Sequence, residues 1–397
     1  MVGCRVPCRT ALGASLMAAF AACGPLGKPP PDAGTAPPDS GSVGSDGGLD
    51  GSFAAAPHPP LPILVNHGGP LLTGVSLVTV TWSGDPLATE LSTFDGWLPR
   101  SGYWTSRLGE YGLAAGSQAA SWQAPGPSPS MLSDAALRAL LHEAIDAGFV
   151  PPPTPQRLYA VYPPPGTQVT ETLDGGVYQG CVDFTGYHAA EPSPDAGDLF
   201  YAVVPRCPQH GLSAIDAMTW PASHEIAEAS SDPEAVFGPA APGWILLSPD
   251  PIAPSGGEVA DLCDGSSAVV EGYRVAALYS NVAAGGGDRP CLPSAPGPMF
   301  GADANPFILS VPAGSSARTL LSIYSTAPLP APLTLDILSE DPALTAFAGR
   351  SLVQNGDTVP LDLAVSDQAA SGSSFLIEIV AGSSDYQSVT YVLVTVP

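Results

Sequence analysis

The stretch Ser223-His224-Glu225-Ile226-Ala227-Glu228-Ala229-Ser230-Ser231-Asp232-Pro233 sets one imidazole and two carboxylates within five residues, His224 to Glu228. On a helix, positions i and i+4 share a face, so His224 and Glu228 can address one divalent ion. The two histidines of an HExxH helix do the same for zinc. Glu225, next to the first ligand, is placed to act as general base toward a water that the ion acidifies toward neutrality. A carboxylate at the second ligand position makes the site harder and more anionic. Zinc is the expected cofactor, and calcium or manganese suits this site better than it would suit HExxH.

A third ligand is required, and Asp261 in Gly256-Gly257-Glu258-Val259-Ala260-Asp261-Leu262-Cys263 is the expected one, with Glu258 as an alternative. Asp232 is a further alternative, eight residues after His224. Pro233 pulls it out of helical geometry, so Asp232 reads rather as the helix stop. His188, in a Gly-Tyr-His turn, could be a ligand or could stabilise an oxyanion. The competing reading is a solvated helix face with Ser223 as cap and Glu225 in the favourable first turn. HExxE alone arises by chance; what raises it here is the concentration of acid in a chain with only 12% charged residues.

Positioning these groups demands a helix from Leu212 to Ser231, with Pro221 in its first turn, and a strand or turn from Glu258 to Cys263. Upstream, Ile63 to Val65 and Val75 to Trp82 read as strands separated by the turn cluster Asn66 to Pro70. Pro86 to Gly112 is helical, with Phe94, Trp97, Tyr103, Trp104 and Tyr111 as core. Ser133 caps a clearer helix to Ala147, carrying Leu137, Leu140, Leu141 and Ile145 at helical spacing and a surface pair, His142 and Glu143. Arg157 to Pro163 and Leu199 to Pro205 are strands halted by proline. Trp244 to Leu247 and Val269 to Tyr279 are short strands or turns. Strands first and a functional helix late make residues 61–293 one α/β unit, a zincin-like mixed sheet plus helices. After a linker over 294–306, short alternating segments separated by turn residues predict an all-β sandwich over 307–397. That segment contains no cysteine and no histidine, so no chemistry is assigned to it.

Composition sets the compartment. The chain has 397 residues, a formal net charge of −25 and only 12 Lys+Arg, which excludes a nucleic-acid-binding surface and electrostatic docking on anionic lipid. Arg5 and Arg9 precede an apolar stretch, Ala11 to Ala22, too short to span a bilayer but suited to a signal peptide over 1–22. Phe20-Ala21-Ala22-Cys23 is similar to a lipobox, with Cys23 as the lipidated first residue of the mature chain. Residues 23–60 are mostly Pro, Gly, Ser, Asp and Ala with almost no large apolar residue, the composition of a disordered tether. The expectation is an exported protein, lipid-anchored to a bacterial cell envelope at the outer membrane or cell surface. The remaining cysteines, Cys181, Cys207, Cys263 and Cys291, fit an oxidising compartment. Sequence-adjacent pairing, Cys181 with Cys207 and Cys263 with Cys291, closes the shortest loops. A four-cysteine zinc site is the alternative, but no CxxC spacing supports it.

Asn66-His67-Gly68-Gly69-Pro70-Leu71-Leu72-Thr73-Gly74-Val75-Ser76-Leu77-Val78-Thr79-Val80-Thr81-Trp82-Ser83-Gly84 resembles the N-terminal block of the Exordium-like, or phosphate-induced, protein family of plant cell walls. The resemblance continues more loosely through Cys181 to His188, Tyr201 to Cys207, the Ser-Ser-Asp-Pro of the helix end and Glu258 to Cys263. It implies one domain holding both acidic segments. Plant members, which have no established enzymatic activity, lack the His-Glu pair at this helix, so no activity is implied by it. Two functions follow from the residues: a metal-dependent, peptidase-like hydrolase, or a non-catalytic envelope protein that binds a peptide or cell-wall polymer and holds a structural ion or none.

Overall fold

The structure, a computed structural model, describes residues 53–397 apart from 174–175, 194–196, 210, 235–240, 255, 295–296, 340 and 384–385. The expected signal peptide, Cys23 and most of the expected tether lie outside the described residues. The chain is mixed and rich in strands, with apolar cores on both faces of one sheet and a separate core in the C-terminal part.

A five-stranded sheet organises the first unit. Its strands are β1 (Ser76–Trp82), β2 (Ser117–Ala124), β3 (Arg157–Val161), β4 (Tyr187–Glu191) and β5 (Leu199–Val203), in the order β2-β1-β3-β5-β4. Neighbours run parallel except β4, the edge strand, which pairs antiparallel with β5. Side chains alternate across this sheet with the period of two that a strand imposes. Leu77, Leu158, Ala160, Phe200 and Ala202 face one core, and Val78, Val80, Tyr159, Val161, Tyr201 and Val203 face the other. Helices α1 (Ala88–Trp97), α2 (Gly102–Leu108) and α4 (Asp216–Ser231) pack on the first face, and α3 (Asp134–Asp146) on the second. Tyr187 of β4 belongs to the second core, so its neighbour His188 points to the face that carries α4.

Several expectations change in detail. The helical run from Pro86 to Gly112 is two helices joined by a 3-10 turn, Leu98–Arg100, which accommodates Pro99. Phe94, Tyr103, Trp104 and Tyr111 are core and Trp97 packs against it. Ser133 does cap α3. His142 and Glu143 are both exposed, as expected of a surface pair, and His142 Nε2 lies 2.8 Å from Glu191 Oε2. Strand β2 escapes a propensity reading because Ser117-Gln118-Ala119-Ala120 is small and polar. A hairpin, β6 (Ser267–Val270) and β7 (Tyr273–Ala276), lies against α4.

The C-terminal unit starts earlier than its composition suggests, because β8 (Phe300–Asn305) falls within the expected linker. It continues with β9 (Ile308–Ser310), β10 (Ser316–Ser325), β11 (Leu333–Ser339), β12 (Leu344–Ala348), β13 (Leu352–Val353), β14 (Thr358–Val365), β15 (Ser374–Gly382) and β16 (Gln387–Thr395). The orders β8-β10-β14-β12 and β9-β16-β15-β11-β13 make two sheets, and inward residues of both form one apolar core.

The last part of the expected tether is not free. The Ala56 N–H donates to Asn355 Oδ1 at 3.0 Å, and Asn355 Nδ2 donates to the Ala54 carbonyl at 2.9 Å. His58 stacks on Tyr324 at 4.4 Å between centroids. The segment before Leu61 therefore runs along the C-terminal unit. Arg289 lies over Tyr386 at 4.2 Å and the Tyr391 N–H donates to the Pro251 carbonyl at 2.7 Å, tying the units together. Among the described residues no helix is long and apolar enough to cross a membrane.

Candidate metal centre

Helix α4 is buried on every side from Ala217 to Ser231, against β3, β4 and β5 on one flank and β7 on the other. A surface helix would show an apolar stripe and a charged one; here the charges are inside. The solvated-face reading is thereby excluded, and Ser223 is not a cap. Ser223 lies mid-helix, where its hydroxyl donates to the Trp220 carbonyl and accepts from the Ala276 N–H of β7, both at 2.8 Å. Ser213 holds the helix start by accepting from the Asp216 N–H at 3.1 Å. Pro221 is the sixth residue of the helix that starts at Asp216, so it lies in the interior rather than the first turn. An interior proline costs roughly 3 kcal/mol, and packing on both flanks offsets it.

The helix brings His224 and Glu228 together as the i, i+4 spacing requires, with Nε2 and Oε2 3.0 Å apart. Asp261 Oδ1 lies 3.4 Å from the same nitrogen. Both carboxylates divide their work. Glu228 Oε1 accepts the Ala260 and Asp261 N–H groups at 3.2 and 3.0 Å, and Asp261 Oδ2 accepts the Glu258 N–H at 3.0 Å. One oxygen of each thus fixes the turn at Glu258 to Cys263, and the other faces His224. That turn ends in a 3-10 segment, Asp261–Cys263, and Cys263 is bonded to Cys291.

His188 closes the cluster from the sheet. Its Nδ1 lies 3.3 Å from Glu225 Oε2 and 4.0 Å from Glu228 Oε2. Its Nε2 lies 3.6 Å from Glu258 Oε1 and 3.2 Å from the Asp232 carbonyl oxygen. The second disulfide, Cys181 to Cys207, spans the segment that carries His188. Asp232 is the helix stop: its N–H donates to the Glu228 carbonyl at 2.7 Å and its Oδ1 accepts the Gly243 N–H at 2.9 Å. The structure therefore brings together His188, His224, Glu225, Glu228, Asp232, Glu258 and Asp261.

Gly186, which composition did not single out, is part of the construction. A Cβ there would come within 2.6 Å of Glu225 Oε1, so only glycine leaves room for that carboxylate. Its position two residues before His188 on an approaching strand was the available signal.

The electrostatics are one-sided. Glu225, Glu228, Asp232, Glu258 and Asp261 are five carboxylates facing two imidazoles, so even with both histidines protonated the formal balance is 2 − 5 = −3. Burial pushes Glu228 up to about 7, with Asp261 adding to the rise and His224 opposing it. Burial, then Glu228 and Asp232, raise Glu258 well above the usual carboxylate range. Burial would lower the His224 imidazole, but Glu228 and Asp261 outweigh it and hold it well above its ordinary value. Three buried atoms, His224 Nε2, Glu258 Oε1 and Asp232 Oδ2, make no hydrogen bond. His224 Nε2 thus meets two carboxylate oxygens within ion-pairing distance but in no hydrogen-bond geometry. Converging donors that satisfy one another poorly are what a divalent cation completes. The oxygen-rich donor set with one or two imidazoles fits zinc and manganese and leaves room for calcium. Asp261 borders a groove between the two units, also lined by Leu262, Tyr324, Tyr386 and Tyr391.

The two disulfides place the folded chain in an oxidising compartment. The chain matches no protein-family model and no curated protein. Among solved structures, domains 4 and 5 of the S-layer protein SbsC are similar at 16% identity and a TM-score of 0.20, covering 25% of this chain and 53% of that one. This chain thus spans about half the length of that structure. Domains 5–6 of SbsC are similar at 16% identity and a TM-score of 0.21, over 25% of this chain and 45% of that one. Titin M4 is similar at 16% identity and a TM-score of 0.17, over 25% and 95%. Likenesses at this level say nothing about fold or function.

Proposed function

We propose that this chain is an exported cell-envelope protein, anchored through lipid on Cys23, whose first unit is a zincin-like, metal-dependent hydrolase of peptides. The observation that carries the reading is His224 Nε2, buried, without a hydrogen bond, and shared between Glu228 Oε2 and Asp261 Oδ1. His224, Glu228 and Asp261 would hold zinc, which supplies Lewis acidity and an acidified water when bound. Glu225 takes the proton of the attacking water, and His188 Nδ1, 3.3 Å away, fixes the carboxylate that receives it. Gly186 keeps the space around that carboxylate open. The mixed sheet followed by a late functional helix supports the zincin-like reading, and the groove beside Asp261 supplies an approach. The C-terminal unit, read as a β-sandwich, forms the far wall of that groove. The Exordium-like resemblance belongs to this proposal as a relation of scaffold, with the His-Glu pair as what this chain adds.

One observation favours the second reading, a non-catalytic envelope protein with a structural ion. Glu225, Glu228 and Glu258 are at most 5% exposed, and structural sites are closed where catalytic ones keep an open position. Glu225→Gln decides between them. The hydrolase keeps its metal by elemental analysis and loses cleavage of a mixed peptide library. A structural site shows no cleavage in the wild type, while His224→Ala lowers the melting temperature. Wild-type protein free of metal after purification and zinc loading overturns both.

A further inference from the structure

The donors of the proposed zinc site do not exhaust the cluster. Glu258 reaches in from the turn that presents Asp261, yet its Oε1 has no hydrogen-bond partner while the residue is 5% exposed. That oxygen lies 3.6 Å from His188 Nε2. His188, Glu228 and Glu258 each offer a ligand atom within 4.8 Å of the others, and so do His224, Glu228 and Asp261. Glu228 belongs to both sets. Its Oε1 is engaged by two backbone N–H groups, so Oε2 is the oxygen left to both.

We propose that this centre can hold two divalent cations, with Glu228 common to both donor sets and His188 and Glu258 completing the second. The proposal rests on the metal reading of the first site. The face of His188 decides it. A metal-ligating imidazole characteristically donates its other N–H to a carboxylate, and His188 Nδ1 has Glu225 at 3.3 Å for that purpose. Nε2 is placed to donate to the Asp232 carbonyl oxygen at 3.2 Å and lies 3.6 Å from the unpartnered Glu258 Oε1, so a cation bound between His188 and Glu258 would take the place of that proton. The charge agrees. With neutral imidazoles, five carboxylates and one dication leave −5 + 2 = −3, and two dications leave −5 + 4 = −1. A second ion there would add Lewis acidity beside Glu225, which would keep its role as general base with His188 Nδ1 fixing its carboxylate at 3.3 Å.

Zinc titration of the metal-stripped full-length chain, followed by calorimetry and elemental analysis, tests this. The wild type should saturate at two zinc ions per chain in two resolvable steps. Glu258→Gln, which keeps the size of the side chain, and His188→Ala should each saturate at one. His224→Ala should also saturate at one, having lost the other step. Saturation of the wild type at one zinc overturns the second site and leaves the first standing, with a protonated His188 serving as the counter-charge to Glu258. Two zinc ions retained in both Glu258→Gln and His188→Ala equally overturn it. No zinc bound by the wild type sinks the first site as well. If His188→Ala does not fold, the wild-type stoichiometry and Glu258→Gln still decide the matter.

Discussion

In the first unit Glu225, Glu228, Asp232 and Glu258 are all buried around two imidazoles, whereas among the described residues of the C-terminal unit no acidic residue is buried. The C-terminal unit keeps its charges outside, as with Arg318, which grips Asp362 at 2.6 and 3.0 Å on a surface where both are at least half exposed. Both units solve the same packing problem with Val, Leu and Ile. Only one accepts the cost of desolvating carboxylates, which is large unless they are paired or bind metal. Rules of folding broken in one place and obeyed in another mark where selection acted on something besides stability.

This contrast can be broken at its strongest point first. Glu228→Ala removes the oxygen common to both donor sets and frees the Ala260 and Asp261 N–H groups. Bound metal should fall below about one-tenth of the wild-type content, since ligand loss outweighs the 10–100-fold cost typical of outer-shell changes. Undiminished metal content would mean the cluster is not the site. Glu225→Gln should leave metal content unchanged and slow peptide hydrolysis by about 10²–10⁴-fold; a loss of metal instead would make Glu225 a ligand.

The C-terminal unit should respond in the opposite currency. Leu361→Ala, in a fully buried core position, should lower stability by about 2–5 kcal/mol in denaturant melts and leave the metal content of folded protein as it was. A coupled loss of metal would show that the units fold as one.

A smaller effect separates buried acid from metal chemistry within the first unit. Asp95 is buried with Thr79 and Tyr162 donating to its two oxygens, each at 2.6 Å. Burial pushes its carboxyl from 3.8 up to about 7 despite those two bonds. The folded state therefore holds a proton that the unfolded chain has released, and stability is lost as pH rises from about 4 to about 7. The slope is at most about 1.4 kcal/mol per pH unit, and Asp95→Asn should flatten that part of the wild-type profile. An unchanged profile would show Asp95 ionised in the fold. Smallest of all, Arg318→Ala should leave the melting temperature where it was, because exposed ion pairs are screened by solvent.

The sequence announced the helix, the partnership of His224 with Glu228, the turn at Glu258 to Cys263 and the disulfide partners, because each rests on local spacing. It was silent about what depends on the third dimension. Nothing in Gly-Tyr-His says that Gly186 vacates space for Glu225, or that period-two alternation turns His188 toward α4 and Tyr187 away from it. Asp95 with Tyr162 joins residues far apart in the chain. Pro221 reads as a first-turn residue by local propensity, yet the helix already runs from Asp216 ahead of it. The pinning of residues 53–60 by Asn355 was hidden by a composition that reads as tether.

The two cross-links have a consequence in time. Cys181–Cys207 and Cys263–Cys291 join residues 26 and 28 positions apart, and rings of that size remove roughly 3–4 kcal/mol of freedom from the unfolded chain. One ring contains His188 and the other begins just past Asp261. Each ring thus limits the freedom of one donor segment as soon as it closes, Cys181–Cys207 around His188 and Cys263–Cys291 next to Asp261. Reduction of the mature protein would let the outlying donors drift apart while His224 and Glu228 stayed on their helix.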